Sequence, residues 1–429
     1  MLRGIPRPGR GPGEPPGLPT STHPRLRGLN GSSFCLGTRT ARYLGVQQDI
    51  DLLARGHPLS ERILITGGAG FIGSHLARRL LQDGHEVRAL DRLDPQVHPG
   101  RERPGYLEDE VELIVGDVRD PAAVQYALHG VDAVVHLAAR VGVGQSMYEI
   151  DDYCSVNTVG TGVLLEGLMK HEVRRLLVAS SMSIYGEGQA QTVDGELAWA
   201  VERNGAQLER GEWEPRDREG RELVFEPTPE TKTPSLSSVY ALNKYDQERM
   251  CLLFGSSYGV PTTALRFFNV YGPDQALSNP YTGVLAIFGG RLLNDKRPLI
   301  FEDGEQRRDF VSVHDVAAAC ALALERSEAT GLAVNVGSGE SVSVRKIAER
   351  LAEVTGRGRI EPEITGQYRV GDIRHCFADI SLAREVLGYE PQVRLEHGMT
   401  ELAEWLQGQT AEDSVETAHR ELVARGLTR

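Results

Sequence analysis

Arg62-Ile63-Leu64-Ile65-Thr66-Gly67-Gly68-Ala69-Gly70-Phe71-Ile72-Gly73-Ser74-His75-Leu76 is the stretch whose reading decides the fold of this 429-residue chain. Ile63, Leu64 and Ile65 form a short apolar run of the kind buried on both faces of a parallel sheet, and Leu76, Leu80 and Leu81 then recur at helical spacing. The glycines between them mark a turn from strand into helix. Gly68, Gly70 and Gly73 fit the G-x-G-x-x-G spacing that brings a dinucleotide pyrophosphate against backbone; Gly67, Gly70 and Gly73 fit a variant spaced by three. In either register, unpaired N–H groups at the helix N-terminus, around Phe71 and Ile72, would face the phosphates. The plain alternative is a glycine-rich turn that binds nothing, which the flanking strand and helix disfavour.

Outward from this stretch the chain keeps alternating. Segments 86–90, 111–115, 132–137 and 174–180 read as strands with mostly helical patterns between them, which predicts right-handed crossovers in a doubly wound, Rossmann-like parallel α/β sheet. The rhythm breaks between Tyr185 and Pro234, where a polar stretch with Trp199 and Trp213 reads as a functional insertion or lid. Strands resume at 262–268, 299–301, 310–313 and 333–336, and helices at 344–354 and 382–387. The expected division is an NAD-binding domain over 59–265, with an insertion at 187–233 and a return segment at 311–340. A smaller α/β substrate domain follows over 266–310 and 341–408, then a charged, frayed tail over 409–429.

Residues 1–45 differ from all that follows: rich in Pro and Gly, they hold seven arginines against the single acid Glu14, giving +6 and leaving −19 for the remainder. They read as a disordered basic tail reaching to about residue 58. The net charge of −13 argues against a nucleic-acid partner, whose phosphates would be repelled. The composition, 40% hydrophobic and 25% charged, is that of a soluble globular protein. Five scattered cysteines without a C-x-x-C pair fit a reducing cytoplasm. No apolar run nears the roughly 20 residues that span a bilayer. The twelve histidines lack paired ligand spacing, so no metal is expected.

Asp91 closes the second strand eighteen positions after Gly73, where a carboxylate can accept the adenosine ribose hydroxyls and would repel a 2′-phosphate. NAD is therefore favoured over NADP, although Arg92 beside it could greet the extra phosphate. Asp117 and Val118, and then His136-Leu137-Ala138-Ala139, end the next strands where a dinucleotide would lie. Tyr240 and Lys244, four residues apart on a helical pattern, share one face. A phenol with its usual pKa of about 10 is a poor base, but an adjacent ammonium stabilises the phenolate and lowers that value. Ser180-Ser181, ending the fifth strand, can bind a reacting oxygen and relay its proton.

Taken in order, Gly67 to Gly73, His136 to Ala139, Ser180 to Gly186, Tyr240 to Lys244, Arg266 to Pro273 and Arg308 to Asp315 resemble the extended short-chain dehydrogenase/reductase family, in its sugar-nucleotide epimerase and dehydratase branch. The resemblance implies NAD in the N-terminal domain, a nucleotide sugar against the C-terminal domain, and homodimers. It implies Ser181 as catalytic hydroxyl, Tyr240 as acid/base and Lys244 as its partner. It also implies that Asn269, Arg308 and Arg369 meet the substrate diphosphate and that Phe301 stacks on the base. Where 4,6-dehydratases carry Asp-Glu after the catalytic hydroxyl, this chain has Met182 and Ser183, which favours epimerisation. The strings 139–148, 180–187 and 371–375 are similar to bacterial dTDP-L-rhamnose 4-epimerases. The expected activity is thus C4 epimerisation of a nucleotide sugar through a 4-keto intermediate. UDP-glucose or UDP-glucuronate epimerisation is the neighbouring alternative, and a non-catalytic NAD-binding regulator the alternative of another class.

Overall fold

Seven strands lie side by side in the order β7-β6-β5-β4-β1-β2-β3: β1 Arg62–Thr66, β2 Glu86–Asp91, β3 Glu112–Val115, β4 Ala133–His136, β5 Arg175–Ser181, β6 Thr262–Phe267 and β7 Ala333–Val336. Every neighbouring pair is parallel. This computed structural model describes residues 60–429, so the expectation for residues 1–58 lies outside the described residues. The helices that matter are α1 Phe71–Gln82, α2 Pro121–Leu128, α3 Gly160–Leu168, α4 Val239–Tyr258, α5 Val284–Leu293, α6 Val313–Glu325, α7 Val344–Val354, α8 Leu395–Gln407 and α9 Val415–Ala424.

The pleat sends alternate side chains to opposite faces. Ile63 and Ile65 join one buried cluster with Leu76, Leu80, Val316 and Leu324 of α1 and α6, while Leu64 joins another with Val124, Leu164 and Phe254 of α2, α3 and α4. Strands covered on both faces need apolar residues at every position, which is why the run in β1 does not alternate. Each such buried side chain contributes about 1.5–3 kcal/mol. The strand order reverses between β1 and β4, so helices leave to opposite faces there and open a crevice at the carboxyl ends.

A third core, with Tyr271, Phe288, Ile300, Phe310, Ile347, Leu351, Met399 and Leu402, joins α5, α7 and α8. Short strands at Asn269–Tyr271, Phe310–Ser312, Arg307–Arg308 and His375–Cys376 connect it to the sheet. The insertion is folded: Ala190–Thr192 pairs antiparallel with Leu197–Ala198 and Leu223–Phe225. The frayed helix that the charged stretch after Gln407 suggests is there, but it is packed. Residues 415–424 form α9, with Ala418 and Leu422 buried. Beyond it Tyr368 exchanges backbone hydrogen bonds with Arg429, and the Val370 N–H donates to the Leu427 carbonyl at 3.0 Å. The tail holds because its two apolar side chains and its backbone both find partners, which its charged composition hides.

Among the described residues, no helix is long and apolar enough to cross a membrane, and no group of three His, Cys, Asp or Glu side chains is placed to hold a metal. Cys154, Cys251, Cys320 and Cys376 are free thiols.

Candidate active site

The turn after β1 needs glycine in both registers that the spacing leaves open: a Cβ on Gly68 would lie 2.6 Å from the Ala89 Cβ and 2.9 Å from the Ile65 carbonyl oxygen. Gly67 sits at φ +73°, with the Ala138 backbone so close that a Cβ would lie 2.9 Å from its nitrogen. A Cβ on Gly73 would come within 2.4 Å of the Gly67 carbonyl oxygen, so this glycine brings α1 onto the turn. A Cβ on Gly70, by contrast, would meet only that oxygen, at 3.3 Å; its outer side is open. Gly67, Gly70 and Gly73 thus divide the roles of turn, approach and packing. Gly70 precedes α1 without any side-chain cap, leaving the first N–H groups, those of Phe71 and Ile72, available to an anion.

At the end of β2 the Asp91 carboxylate accepts the Ala69 N–H at 3.1 Å and the Leu93 N–H at 2.9 Å, one donor per oxygen, with lone pairs to spare for a diol. Arg92 is engaged elsewhere: it pairs with Asp94 and lies 3.6 Å from Asp117. Asp117 also takes Arg119 at 2.7 Å, and these guanidinium partners outweigh its burial and hold its carboxyl below the usual range. Val118 is buried against Gly160 at the start of α3. Leu137, Ala138 and Ala139 leave β4 beside Gly67, small enough at the last two positions for close approach. The uncapped helix end, the open side of Gly70 and the half-satisfied Asp91 suit a dinucleotide without a 2′-phosphate.

Ser181 ends β5, and its Oγ accepts the Ser183 N–H at 3.2 Å and the Ser183 hydroxyl at 3.0 Å. Tyr240, in the first turn of α4, stands beside Ser181. Ser238 caps this helix, accepting the Ala241 N–H at 3.1 Å, and Ser146 accepts the Tyr240 N–H at 3.0 Å. One turn on, Lys244 is buried and donates from Nζ to Gln247 Oε1 at 2.8 Å. Burial, only partly offset by Cys251 and Glu248, pushes this ammonium down to about 8. Sequence reasoning expects a lowered Tyr240 pKa. Here burial raises it, the neighbouring Ser181 pulls it back in part, and the Lys244 ammonium is turned toward Gln247.

Behind Lys244 runs a buried chain of hydrogen bonds. Gln247 Nε2 donates to Thr161 Oγ1 at 3.0 Å and to the Ala138 carbonyl at 3.3 Å. Thr161 gives its own hydrogen to the Asn157 carbonyl at 2.6 Å, and His136 is held in the same network, its Nε2 2.9 Å from Thr161 Oγ1 and 3.1 Å from Gln247 Nε2 and its Nδ1 2.7 Å from the Thr66 hydroxyl. Burial and the nearby Lys244 charge hold His136 neutral, down to about 3.

Elsewhere, Arg308, Arg369 and Phe301 come together around Asp372. Its carboxylate lies 2.8 Å from Arg369 and 3.9 Å from Arg308. The Arg369 guanidinium stands 4.7 Å over the Phe301 ring. Arg308 also donates to the Arg374 carbonyl at 2.8 Å. Asn269 stands opposite Phe310 in a strand pair, its Oδ1 buried without a partner.

Known proteins share this fold. The profile of the NAD dependent epimerase/dehydratase family matches residues 63–200 and 218–337. The chain belongs to that family. It is 38% identical to a dTDP-L-rhamnose 4-epimerase of Burkholderia thailandensis over 351 residues, 81% of this chain and 95% of the relative. Among solved structures it is similar to the UDP-glucose 4-epimerase of Thermotoga maritima crystallised with UDP-glucose (32% identity, TM-score 0.66, 81% of this chain and 98% of that one). The Thermus thermophilus UDP-glucose 4-epimerase in complex with NAD gives 30% identity and a TM-score of 0.65 over 81% and 100% of the two chains. This member of the epimerase/dehydratase family is accordingly an NAD-dependent nucleotide-sugar epimerase.

Sequence reasoning overlooked Ser146, Ser183 and Gln247 of this enzyme. Gln247 was findable, being seven residues from Tyr240 and three from Lys244, on the same face of α4. The two serines carry no spacing signal of their own.

Proposed function

We propose that the enzyme interconverts C4 epimers of a dTDP-linked deoxysugar, dTDP-L-rhamnose first among them, through a 4-keto intermediate. The observation that carries the chemistry is the placement of Ser181, at the carboxyl end of β5, beside Tyr240 in the first turn of α4, with the Lys244 ammonium buried one helical turn behind it. Gly67, Gly70, Phe71, Ile72, Gly73, Asp91, Asp117, Val118, Leu137, Ala138 and Ala139 hold the dinucleotide. Bound NAD⁺ supplies the hydride acceptor and donor, and its nicotinamide cation favours a phenolate. Tyr240 accepts the proton of the C4 hydroxyl as the ketone forms and returns it after the sugar has turned its other face. Ser181 keeps a hydrogen bond on the C4 oxygen, and Lys244 stabilises the phenolate through space. Asn269, Arg308 and Arg369 take the diphosphate, which suits forked guanidinium groups, and Phe301 takes the base.

The 38% identity to a dTDP-L-rhamnose 4-epimerase supports this sugar. Solved UDP-glucose 4-epimerases at 30–32% identity favour UDP-glucose or UDP-glucuronate as the second reading. NMR of a panel of dTDP- and UDP-sugars for C4 inversion decides between them; inversion of UDP-sugars alone overturns the first. The same reading places the NAD domain at 59–265 with a return at 311–340 and the sugar-nucleotide domain at 266–310 and 341–408, in a cytoplasmic protein. It also has two copies pairing through α3 and α4, where Val159, Leu242 and Leu253 are exposed. A monomer by light scattering would exclude that dimer.

A further inference from the structure

We propose that Arg203, in the middle of the insertion, is a positioning residue for the nucleotide half of the substrate, and that this is what the insertion does. The inference rests on the reading of Phe301, Arg308 and Arg369 as the nucleotide site.

The Arg203 side chain is 4% exposed. From Nη1 it donates to Glu302 Oε1 at 2.8 Å and to the Trp213 carbonyl at 3.1 Å; from Nη2 it donates to the Asp372 carbonyl at 2.9 Å. Glu187 lies 3.7 Å from its Nε. Two of these partners adjoin the nucleotide site. Glu302 directly follows Phe301, and the Asp372 carboxylate holds Arg369 and faces Arg308. One guanidinium therefore ties the aromatic platform to the anchor of both diphosphate arginines.

Glu302 also carries strain. It is a non-glycine residue at φ +53°, a conformation that persists only where its surroundings over-determine it. Those surroundings are two guanidinium groups, Arg203 on Oε1 and Arg374 on Oε2 at 2.9 Å, with the Glu302 N–H donating to the Gln367 carbonyl at 2.7 Å. The Glu302 side chain is 1% exposed, so losing Arg203 strands a buried carboxylate oxygen next to a strained backbone. The backbone then relaxes, and Phe301 goes with it. Ser181, Tyr240 and Lys244 make none of their hydrogen bonds with this assembly.

The test uses the full chain with its bound NAD. Calorimetric titration with dTDP and with UDP, steady-state kinetics and cofactor content are compared for wild type, Arg203→Met and Arg203→Lys. Arg203→Met is expected to weaken nucleoside diphosphate binding and raise KM about tenfold or more, with kcat within about threefold and NAD content unchanged. Arg203→Lys keeps the charge but not the fork and should recover part of the loss; should the Met variant not fold, the same split at about threefold to tenfold in Arg203→Lys carries the proposal. An affinity change under threefold in a folded variant overturns it, as does a fall of kcat and NAD content in parallel with affinity. A wild type that binds neither nucleotide sinks the nucleotide-site reading and the inference with it, whereas wild-type binding that Arg203→Met leaves untouched sinks the role of Arg203 alone.

Discussion

Lys244 Nζ donates to Gln247 Oε1 across 2.8 Å, and both side chains are buried. This ammonium thus has a neutral amide as partner in place of a carboxylate, which leaves its charge costly and its pKa pushed down to about 8. Turnover that needs the ammonium should fall as pH rises through about 8. In Gln247→Met the acceptor is gone and the charged form is disfavoured further, so the alkaline limb of the kcat profile is expected to move to lower pH. An unmoved limb would assign it to another group.

The same desolvation makes a stability prediction of opposite sign to the catalytic one. Below about pH 8 Lys244 is protonated in the folded and the unfolded chain, and the folded state bears the cost of the buried charge. Between about 8 and its ordinary 10.5 the folded chain binds fewer protons than the unfolded one, so the stability owed to this site rises with pH. Lys244→Met should therefore lose activity yet be more stable than wild type at pH 7, on the order of 1–3 kcal/mol, with the gap closing toward pH 10. Denaturant midpoints at several pH values measure it.

Tyr240→Phe removes the hydroxyl while leaving the ring and α4 in place. Turnover is expected to drop about 10²- to 10⁴-fold with cofactor content unchanged. Undiminished epimerisation by NMR would remove Tyr240 from the mechanism.

Behind Ser181 lies a buried ion pair whose loss should act through folding. Glu248 accepts Arg266 at 2.7 and 2.9 Å and the Ser180 hydroxyl at 2.6 Å, and Arg266 donates to the Tyr185 hydroxyl at 2.8 Å. Glu248→Ala leaves the Arg266 charge uncompensated and is expected to cost about 3–5 kcal/mol. Calorimetry checks this; a melting temperature within a degree of wild type would contradict it.

How much the residues reveal on their own follows from how local each signal is. Residues 63–65 announce a two-faced strand because burial on both sides leaves no polar position, and Asp91 and Tyr240–Lys244 are legible because their spacing from a strand end or along a helix fixes their direction. The short strands of the insertion were not legible, since two or three residues carry no period. Arg203 was hidden for another reason: its partners Glu302 and Asp372 lie 99 and 169 positions away. The Tyr240 pKa went the wrong way because sequence spacing places a charge nearby but says nothing of which acceptor it turns to.

The pairing of residues 427–429 with 368–370 makes the backbone strip that carries Arg369 a two-part structure, one half of which comes from a distant stretch of chain. A change in residues 427–429 is therefore felt at Arg369, whereas Gly67 and Asp91, which make no hydrogen bond with that strip, keep their own partners.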